Sequence, residues 1–284
     1  MENCQIGVFL AYAPPTGHTV LDRARFVPEE WAANRERTRA AGIPDAVEHV
    51  SKPNQAWAIL TRAVEHHLPL AWVTGESVYG DSRRIRLWLE SLPKGSVLAV
   101  SAKEYVPIGF QQCRVGNLLA GRPVEGWTRV SVGNGAKGPR WYDWYRLTLN
   151  DPLHEGWKRW LVGRRRLRDP TDLAAYACFA PEGTSLETLV QVAGSRWAIE
   201  ACFEEAKGEV GLDQYEVRSW TGWYRHLTRV CAAIWRINFA ATKRRSPAPP
   251  TSWACFLEGR ADDTARIHRR GRARAAFDRL PAGP

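Results

Sequence analysis

The sequence predicts an α/β fold, in which a mixed β-sheet packs against helices and is interrupted by a β-rich insertion. Three observations support this prediction: an N-terminal hairpin pattern, an alternation of strands and helices after it, and a Gly- and Trp-rich stretch beyond residue 103. With 284 residues, of which 44% are hydrophobic, the chain can bury the core of one large domain or of a domain with an insertion.

The first 103 residues alternate between strand and helix patterns. A hairpin is predicted because two runs rich in Val, Leu and aromatic residues, QIGVFLAYA and HTVLDRARFVP, are joined by the turn residues PPTG. Helices are predicted over EEWAANRERTRAAG, QAWAILTRAVEHH and DSRRIRLWLESL, and short buried strands over LAWVTGESVYG and SVLAVSA. Alternation of this kind after a hairpin is typical of a mixed sheet.

The rest of the chain divides into three segments of different character. Residues 104–184 contain turn signals and the strand-like runs WYDWYRLTL, GWKRWLVG and LAAYACFA, which predict a β-rich insertion. Residues 185–242 are helical in pattern, and residues 243–284, rich in Arg, Ala, Gly and Pro, predict a disordered basic tail. Residues 1–103 and 185–242 would then be two parts of one core.

The net charge of +10 is distributed unevenly. The tail holds ten Lys and Arg against four Asp and Glu, and the other 242 residues hold 30 against 26. A basic chain with Trp among its arginines favours a nucleic-acid partner, because phosphates supply much of such binding energy. A solvated basic surface is the alternative at this point.

The cysteines and the N-terminus bear on the compartment. The six cysteines are spaced singly, which favours reduced thiols over disulfides or structural zinc. The start MENCQIGVFLAYAPP lacks the basic segment of a secretory signal, and there is no apolar run long enough to span a membrane. We therefore expect a cytoplasmic protein with no membrane partner.

The stretch SRWAIEACFEEAK, residues 195–207, raises the question of what Glu200 does. On a helix, Arg196, Glu200 and Lys207 form one charged row at the border of the apolar face that contains Ile199 and Phe203. One interpretation is an ordinary i,i+4 pair between Arg196 and Glu200 on a half-exposed helix. The other is an acid at the edge of the core that holds a cation, between basic residues that hold phosphate oxygens.

Three segments together resemble the insertion-sequence transposases of the DDE superfamily. They are ENCQIGVFLAYAPPTGHTVLDRARFVPEEW, AWVTGESVYGDSRRIRLWLE and RWAIEACFEEAKGEVGLDQYEVRSWTGWYRH, and the similarity as a whole covers residues 2 to about 238. The resemblance implies a ribonuclease-H-like catalytic core and Mg²⁺-dependent DNA cutting and strand transfer at insertion-sequence ends. It also implies DNA as partner, association with the nucleoid, and a homodimer in a synaptic complex.

In this family two Asp and one Glu hold two Mg²⁺ ions, and hard cations of this kind prefer carboxylate oxygens. By motif position Glu200 resembles the final Glu, and Glu76, three residues before a Tyr-Gly pair, stands where the family has its second Asp. The resemblance therefore implies that both are catalytic metal ligands. The alternative interpretation of Glu76 is a carboxylate at the end of a loop, without a role in catalysis or metal binding. Asp81 lies beyond the turn, where we expect a helix N-cap.

The family's first Asp lies on a strand upstream of the segment ENCQIGVF and has no counterpart in this sequence. We therefore expect the first core strand to be missing, an incomplete metal site, and a central gap between the hairpin and the strand that ends at Glu76. DNA cutting would then be impaired. The alternative is a catalytically inactive, DNA-binding transposase remnant, and a basic structural protein is a third possibility supported by little beyond charge.

The expected DNA contacts are basic residues in two places. The resemblance assigns backbone contacts to Arg196 and Lys207, which match the family's signature of an Arg, a Glu four residues later and a Lys seven residues after that. The run RRRLR supplies Arg164, Arg165 and Arg166 at a turn of the insertion, where they could follow phosphates or lie solvated.

Overall fold

The computed structural model describes residues 5–14, 17–135, 138–152, 154–216, 218–239 and 253–260. The strands are β1 (Ile6–Ala13), β2 (Thr19–Phe26), β3 (Trp72–Gly75), β4 (Gly95–Val100), β5 (Tyr105–Ile108), β6 (Gln111–Arg114), β7 (Thr128–Gly135), β8 (Gly138–Thr148), β9 (Trp157–Arg165), β10 (Leu173–Pro181) and β11 (Trp253–Arg260). The helices are α1 (Glu29–Ala33), α2 (Arg35–Ala40), α3 (Lys52–Glu65), α4 (Ser77–Gly80), α5 (Arg83–Ser91), α6 (Val115–Ala120), α7 (Leu186–Ser195), α8 (Trp197–Val210) and α9 (Trp220–Phe239).

One mixed sheet organises the molecule, as the α/β prediction requires. Its strand order is β2-β1-β11-β3-β4-β10-β9-β8-β7, while β5 and β6 pair separately. The hairpin β1–β2 is antiparallel, β3 and β4 are parallel, and β10, β9, β8 and β7 follow in antiparallel pairs. The predicted mixed sheet is therefore confirmed, and its architecture is that of a ribonuclease-H-like core.

Strand β1 is covered on both faces, which explains its nearly continuous apolar sequence. Val8 and Leu10 pack on one face with α3, α4 and α5. Phe9 packs on the other face with α8 and α9, and Ala11 contacts the buried Ile199 of α8. Helices therefore cover both sides of the sheet at the hairpin.

The gap expected beside β1 is filled in the structure. Strand β11 lies between β1 and β3, antiparallel to the first and parallel to the second, with Phe256 level with both Leu10 and Gly75. The expectation of an empty central position is therefore wrong, as is the expectation of disorder for residues 253–260. The physical reason is that the backbone groups of β1 and β3 that face each other need partners. The remainder of the predicted tail, 243–252 and 261–284, lies outside the described residues.

The predicted strands of the insertion are present, and they extend the core sheet. Strand β10 pairs with the edge of β4, placing Ala177 opposite Leu98, and β9, β8 and β7 add on beyond it. Only β5 and β6 form a sheet of their own within the described part of the chain. In the same ranges no helix is both long and apolar enough to cross a membrane.

Candidate functional site

Glu76 lies at the carboxyl end of β3, where the chain leaves the sheet. Strand β3 is short and its last three residues are buried, so the backbone before Glu76 is fixed by pairing on both sides. Glu76 is the N-cap residue of α4 with extended backbone angles, and its side chain remains 35% exposed. The carboxylate is therefore anchored by its backbone but accessible from solvent.

The Tyr-Gly pair after Glu76 holds this turn against the neighbouring strand. The backbone N–H groups of Tyr79 and Gly80 both donate to the Glu76 carbonyl oxygen at 2.9 Å. Tyr79 is buried, and a Cβ on Gly80 would lie 1.8 Å from the Ala99 carbonyl oxygen. Only glycine permits this close approach, so the motif has a structural role in positioning the acid.

Asp81 has a different role from the one expected. It is the C-cap residue of α4, and the N-cap of α5 is Ser82, so the N-cap assignment for Asp81 is wrong. Its Oδ1 instead accepts a hydrogen bond of 2.8 Å from the Ser101 backbone N–H, just beyond β4. Asp81 therefore ties the acid turn to the next strand.

Glu200 lies in the first turn of α8. Ile199, Cys202 and Ala206 of the same helix are buried against the sheet and α9, which fixes the rotation of the helix about its axis. Glu200 is next to this buried stripe, with 44% of its side chain exposed. The helix therefore presents the carboxylate at the rim of the sheet, as the helical spacing predicts.

Arg196 joins the two acids. Its Nη1 donates to Glu76 Oε1 at 2.9 Å, and its Nη2 lies 3.3 Å from Glu200 Oε1. The i,i+4 pair predicted within the helix is present, and the same guanidinium also reaches an acid 120 positions away. Two carboxylates from different elements thus meet around one positive charge. In the structure Arg196 contacts the acids, in contrast to the DNA contact that the resemblance implies.

Lys207, the other basic residue of the signature, is remote from this cluster. It lies seven residues after Glu200 on α8, which corresponds to about 10 Å along a helix axis. Its position at the last turn of the helix favours interaction with the helix carbonyl end as well as with a DNA backbone. The structure therefore separates Lys207 from the acid pair.

The three arginines predicted on the insertion lie in three different environments. Arg164, at the end of β9, stacks over the Tyr142 ring at 4.7 Å. Arg165 points to Asp143, with an N–O distance of 3.4 Å, and only 15% of its side chain is exposed. Arg166 pairs with Asp172 in the turn after β9.

Arg164 belongs to a face of the insertion that contacts the start of α8. It lies over the Tyr142 ring, and Arg140, two residues before Tyr142 on β8, lies over the Trp197 ring. Trp197 directly follows Arg196 in the chain. Of the three insertion arginines, Arg164 is therefore the one that these ring contacts connect to the start of α8.

Sequence reasoning missed further residues of this surface. Arg140 lies over the ring of Trp197, with 5.3 Å from Cζ to the centroid, and the Trp197 side chain is adjacent in sequence to Arg196 and 41% exposed. Together with Tyr142 and Arg164 they form a surface that we name the basic–aromatic ridge: Arg140, Tyr142, Arg164 and Trp197. The available signal was the period-2 pattern of β8, which puts alternate residues on one face.

The acid pair is suited to one hard cation. Mg²⁺ is commonly held by one or two carboxylates and completes its shell with water and substrate phosphates. Across the residues with described positions, no three His, Cys, Asp or Glu side chains gather as a metal-binding group. Glu76 and Glu200 both contact the Arg196 guanidinium, so two carboxylates are available to a cation here, one fewer than the family uses.

Comparison with known proteins gives a family for the N-terminal part. A family model described as "DDE superfamily endonuclease" matches residues 1–127, a segment that includes the hairpin, β3, Glu76 and β4. No curated protein matches the chain. The match ends before α8, so Glu200 and Arg196 are supported by geometry and motif position alone.

Proposed function

Because residues 1–127 belong to the DDE superfamily of endonucleases, we propose that this protein is a transposase that cuts and joins DNA with Mg²⁺ held by Glu76 and Glu200. The observation that carries the proposal is the convergence of both carboxylates on the Arg196 guanidinium, at the rim of the sheet. Endonucleases of this superfamily act on DNA, and they generally use divalent metals.

Each residue of the candidate site has a role in this proposal. Glu76 and Glu200 hold the ion, and the turn of Tyr79 and Gly80 orients the first of these acids. A divalent ion held by these two acids would act as a Lewis acid for the attacking and leaving oxygens of the DNA phosphate. Arg164, and Arg196 when it is not engaged by the acids, bind phosphate oxygens and position the DNA backbone.

The second candidate function is DNA binding without cutting. It is favoured by the acid count, because the structure brings two carboxylates together in its described part, whereas the family's chemistry uses three. A Glu in place of an Asp at position 76 also moves the carboxylate outward by about a bond length, and shifts of about 1 Å can cost on the order of a hundredfold in rate.

Two further expectations from the sequence remain predictions: homodimerisation on two DNA ends, and the segment boundaries after residues 103, 184 and 242.

The test is cleavage of labelled DNA that carries insertion-sequence ends, with Mg²⁺ or with a chelator. The enzyme proposal predicts nicking that requires the metal and is lost in Glu76→Gln and in Glu200→Gln. Glu209→Gln is the matched control, because Glu209 is exposed on the same helix and points away from the acid pair. Salt-sensitive binding without nicking supports the second candidate, and absence of both binding and nicking contradicts both.

A further inference from the structure

We propose that Arg196 is a built-in counter-ion, which holds Glu76 and Glu200 together without metal and must leave them when a divalent ion binds. The inference rests on the proposed function, since it takes these two acids as the metal ligands. It adds an internal competitor to the site, and it predicts that metal binding and DNA binding are coupled through one side chain.

The geometry of the guanidinium supports a bridging role. Two nitrogens of the same planar guanidinium contact two different acids: Nη1 contacts Glu76 and Nη2 contacts Glu200. About a third of the Arg196 side chain is exposed, and the two carboxylates are 35% and 44% exposed. An arginine used only to stabilise its own helix would need just the i,i+4 contact. The additional hydrogen bond to Glu76, which is 120 positions away in the chain, links the second acid to the same guanidinium.

The guanidinium and a divalent ion compete for the same oxygens. A Mg²⁺ ion needs carboxylate oxygens at about 2.0–2.1 Å, with their lone pairs directed at the ion. In the structure, Oε1 of Glu76 and Oε1 of Glu200 are directed at Arg196. Because an ion between these oxygens would also stand within a few ångströms of the guanidinium, charge repulsion opposes simultaneous binding.

The backbone around Arg196 allows the side chain to change partner without unfolding a helix. Arg196 is the single residue between α7 and α8, and its backbone is right-handed helical, so both helices can stay in place. Arg196 directly precedes Trp197, whose ring Arg140 covers at 5.3 Å. A released Arg196 side chain would therefore start from the edge of the basic–aromatic ridge, where Arg140 and Arg164 also carry guanidinium groups.

The two binding events should then reinforce each other. Metal frees Arg196 for phosphate, and phosphate withdraws Arg196 from the acids, so each ligand raises the affinity for the other by the same factor. Without metal, the positive charge of Arg196 lies between the two acids and offsets part of the repulsion between two carboxylates at one edge of the sheet. The contacts of Arg196 with the two acids thus stabilise the metal-free protein and keep this side chain from binding DNA phosphate until the ion is present.

The experiment is a titration of the full chain with Mn²⁺ alone, followed by electron paramagnetic resonance of the free ion. Arg196→Gln should bind Mn²⁺ about tenfold more tightly than the unmodified protein, because one positive charge has left the ion's immediate surroundings. Arg196→Lys should fall between them, since an ammonium keeps the charge but lacks the planar pair of donors. Arg140→Gln is the matched control for a charge removed nearby without contact to the acids, and it should change the affinity much less.

The outcomes separate this inference from the function on which it rests. Equal Mn²⁺ affinity for Arg196→Gln and the unmodified protein, in samples whose circular dichroism and unfolding temperature agree, would overturn the counter-ion role. Adding Glu200→Gln to Arg196→Gln should remove the gain in affinity. If the double variant binds Mn²⁺ as well as Arg196→Gln does, the ion is not at these acids and the metal site itself is wrong, and the counter-ion role falls with it.

Discussion

Arg196 donates from Nη1 to Oε1 of Glu76 across 2.9 Å, although the two residues are 120 positions apart in the chain. The contact joins the turn after β3 to the start of α8, two elements that are otherwise positioned by separate sets of core residues. It also brings the segment that matches the family model into contact with the helix that follows the match. The candidate site is therefore a product of the tertiary fold.

Gly80→Ala should destabilise the protein and disturb the acid turn. The new Cβ would collide with the Ala99 carbonyl oxygen, and forcing an extra methyl group into a packed position costs about 1–3 kcal/mol. The measurement is chemical denaturation combined with Mn²⁺ binding. Gly208→Ala is the control, because its Cβ would meet open space within α8 and should stabilise the protein by about 0.5–1 kcal/mol. Equal effects of the two substitutions would contradict the role given to Gly80.

Arg164→Ala should weaken DNA binding uniformly across sequences. It should also make the plot of the logarithm of the DNA association constant against the logarithm of the salt concentration less steep by about one unit, which corresponds to one phosphate contact. The reason is its position on the basic–aromatic ridge, over the Tyr142 ring. Fluorescence anisotropy at several salt concentrations measures both quantities. Arg166→Ala, in the turn and paired with Asp172, should have the smaller effect. The reverse order would show that the turn, and not the ridge, follows the phosphates.

A chain that ends at residue 242 should lose cooperative unfolding and aggregate. Without β11, the strands β1 and β3 would expose unpaired backbone donors and acceptors in the middle of the sheet. A chain that ends at residue 263 is the control and should unfold as the full chain does. Differential scanning calorimetry and light scattering measure the difference. If both shortened chains behave like the full protein, β11 does not complete the sheet.

Thiol reactivity should report the packing of α9. Burial raises the pKa of the Cys231 thiol to about 11, and burial also raises that of Cys178 on β10. The thiolate is the reactive form, and only about a thousandth of the Cys231 thiol is in that form at pH 8, so its rate of alkylation should rise about tenfold per pH unit up to pH 10. Mass spectrometry of iodoacetamide adducts measures this, with half-exposed Cys113 as reference. Equal rates for Cys113 and Cys231 at pH 8 would mean that α9 is not docked.

Local periodicity was sufficient to predict much of the fold. The hairpin, α3, α5 and the strands β8, β9 and β10 all follow from patterns of period 2 or 3.6 within single segments. The contact between Arg196 and Glu200 was predicted for the same reason, because both residues lie on one helix, four positions apart. Information of this kind is contained within a few neighbouring residues.

Long-range pairing accounts for what the sequence did not predict. The segment WACFLEGR follows a Pro-rich stretch and is itself unremarkable, and its place between β1 and β3 depends on strands some 180 and 240 positions away, as the register shows. The bond between Arg196 and Glu76 and the different environments of Arg164, Arg165 and Arg166 likewise depend on the assembled sheet. The composition indicates a basic protein, but only the fold shows which arginines pair with nearby surface carboxylates and which arginine contacts Glu76 and Glu200.

The central claim is that Glu76 and Glu200 share one divalent ion. The most direct test is the stoichiometry and affinity of Mn²⁺ binding in the Arg196→Gln background, where the built-in competitor is absent. We predict a single ion per chain, with its affinity lost by Glu76→Gln and equally by Glu200→Gln, and unchanged by Glu209→Gln. Undiminished binding after either of the first two substitutions would contradict the claim.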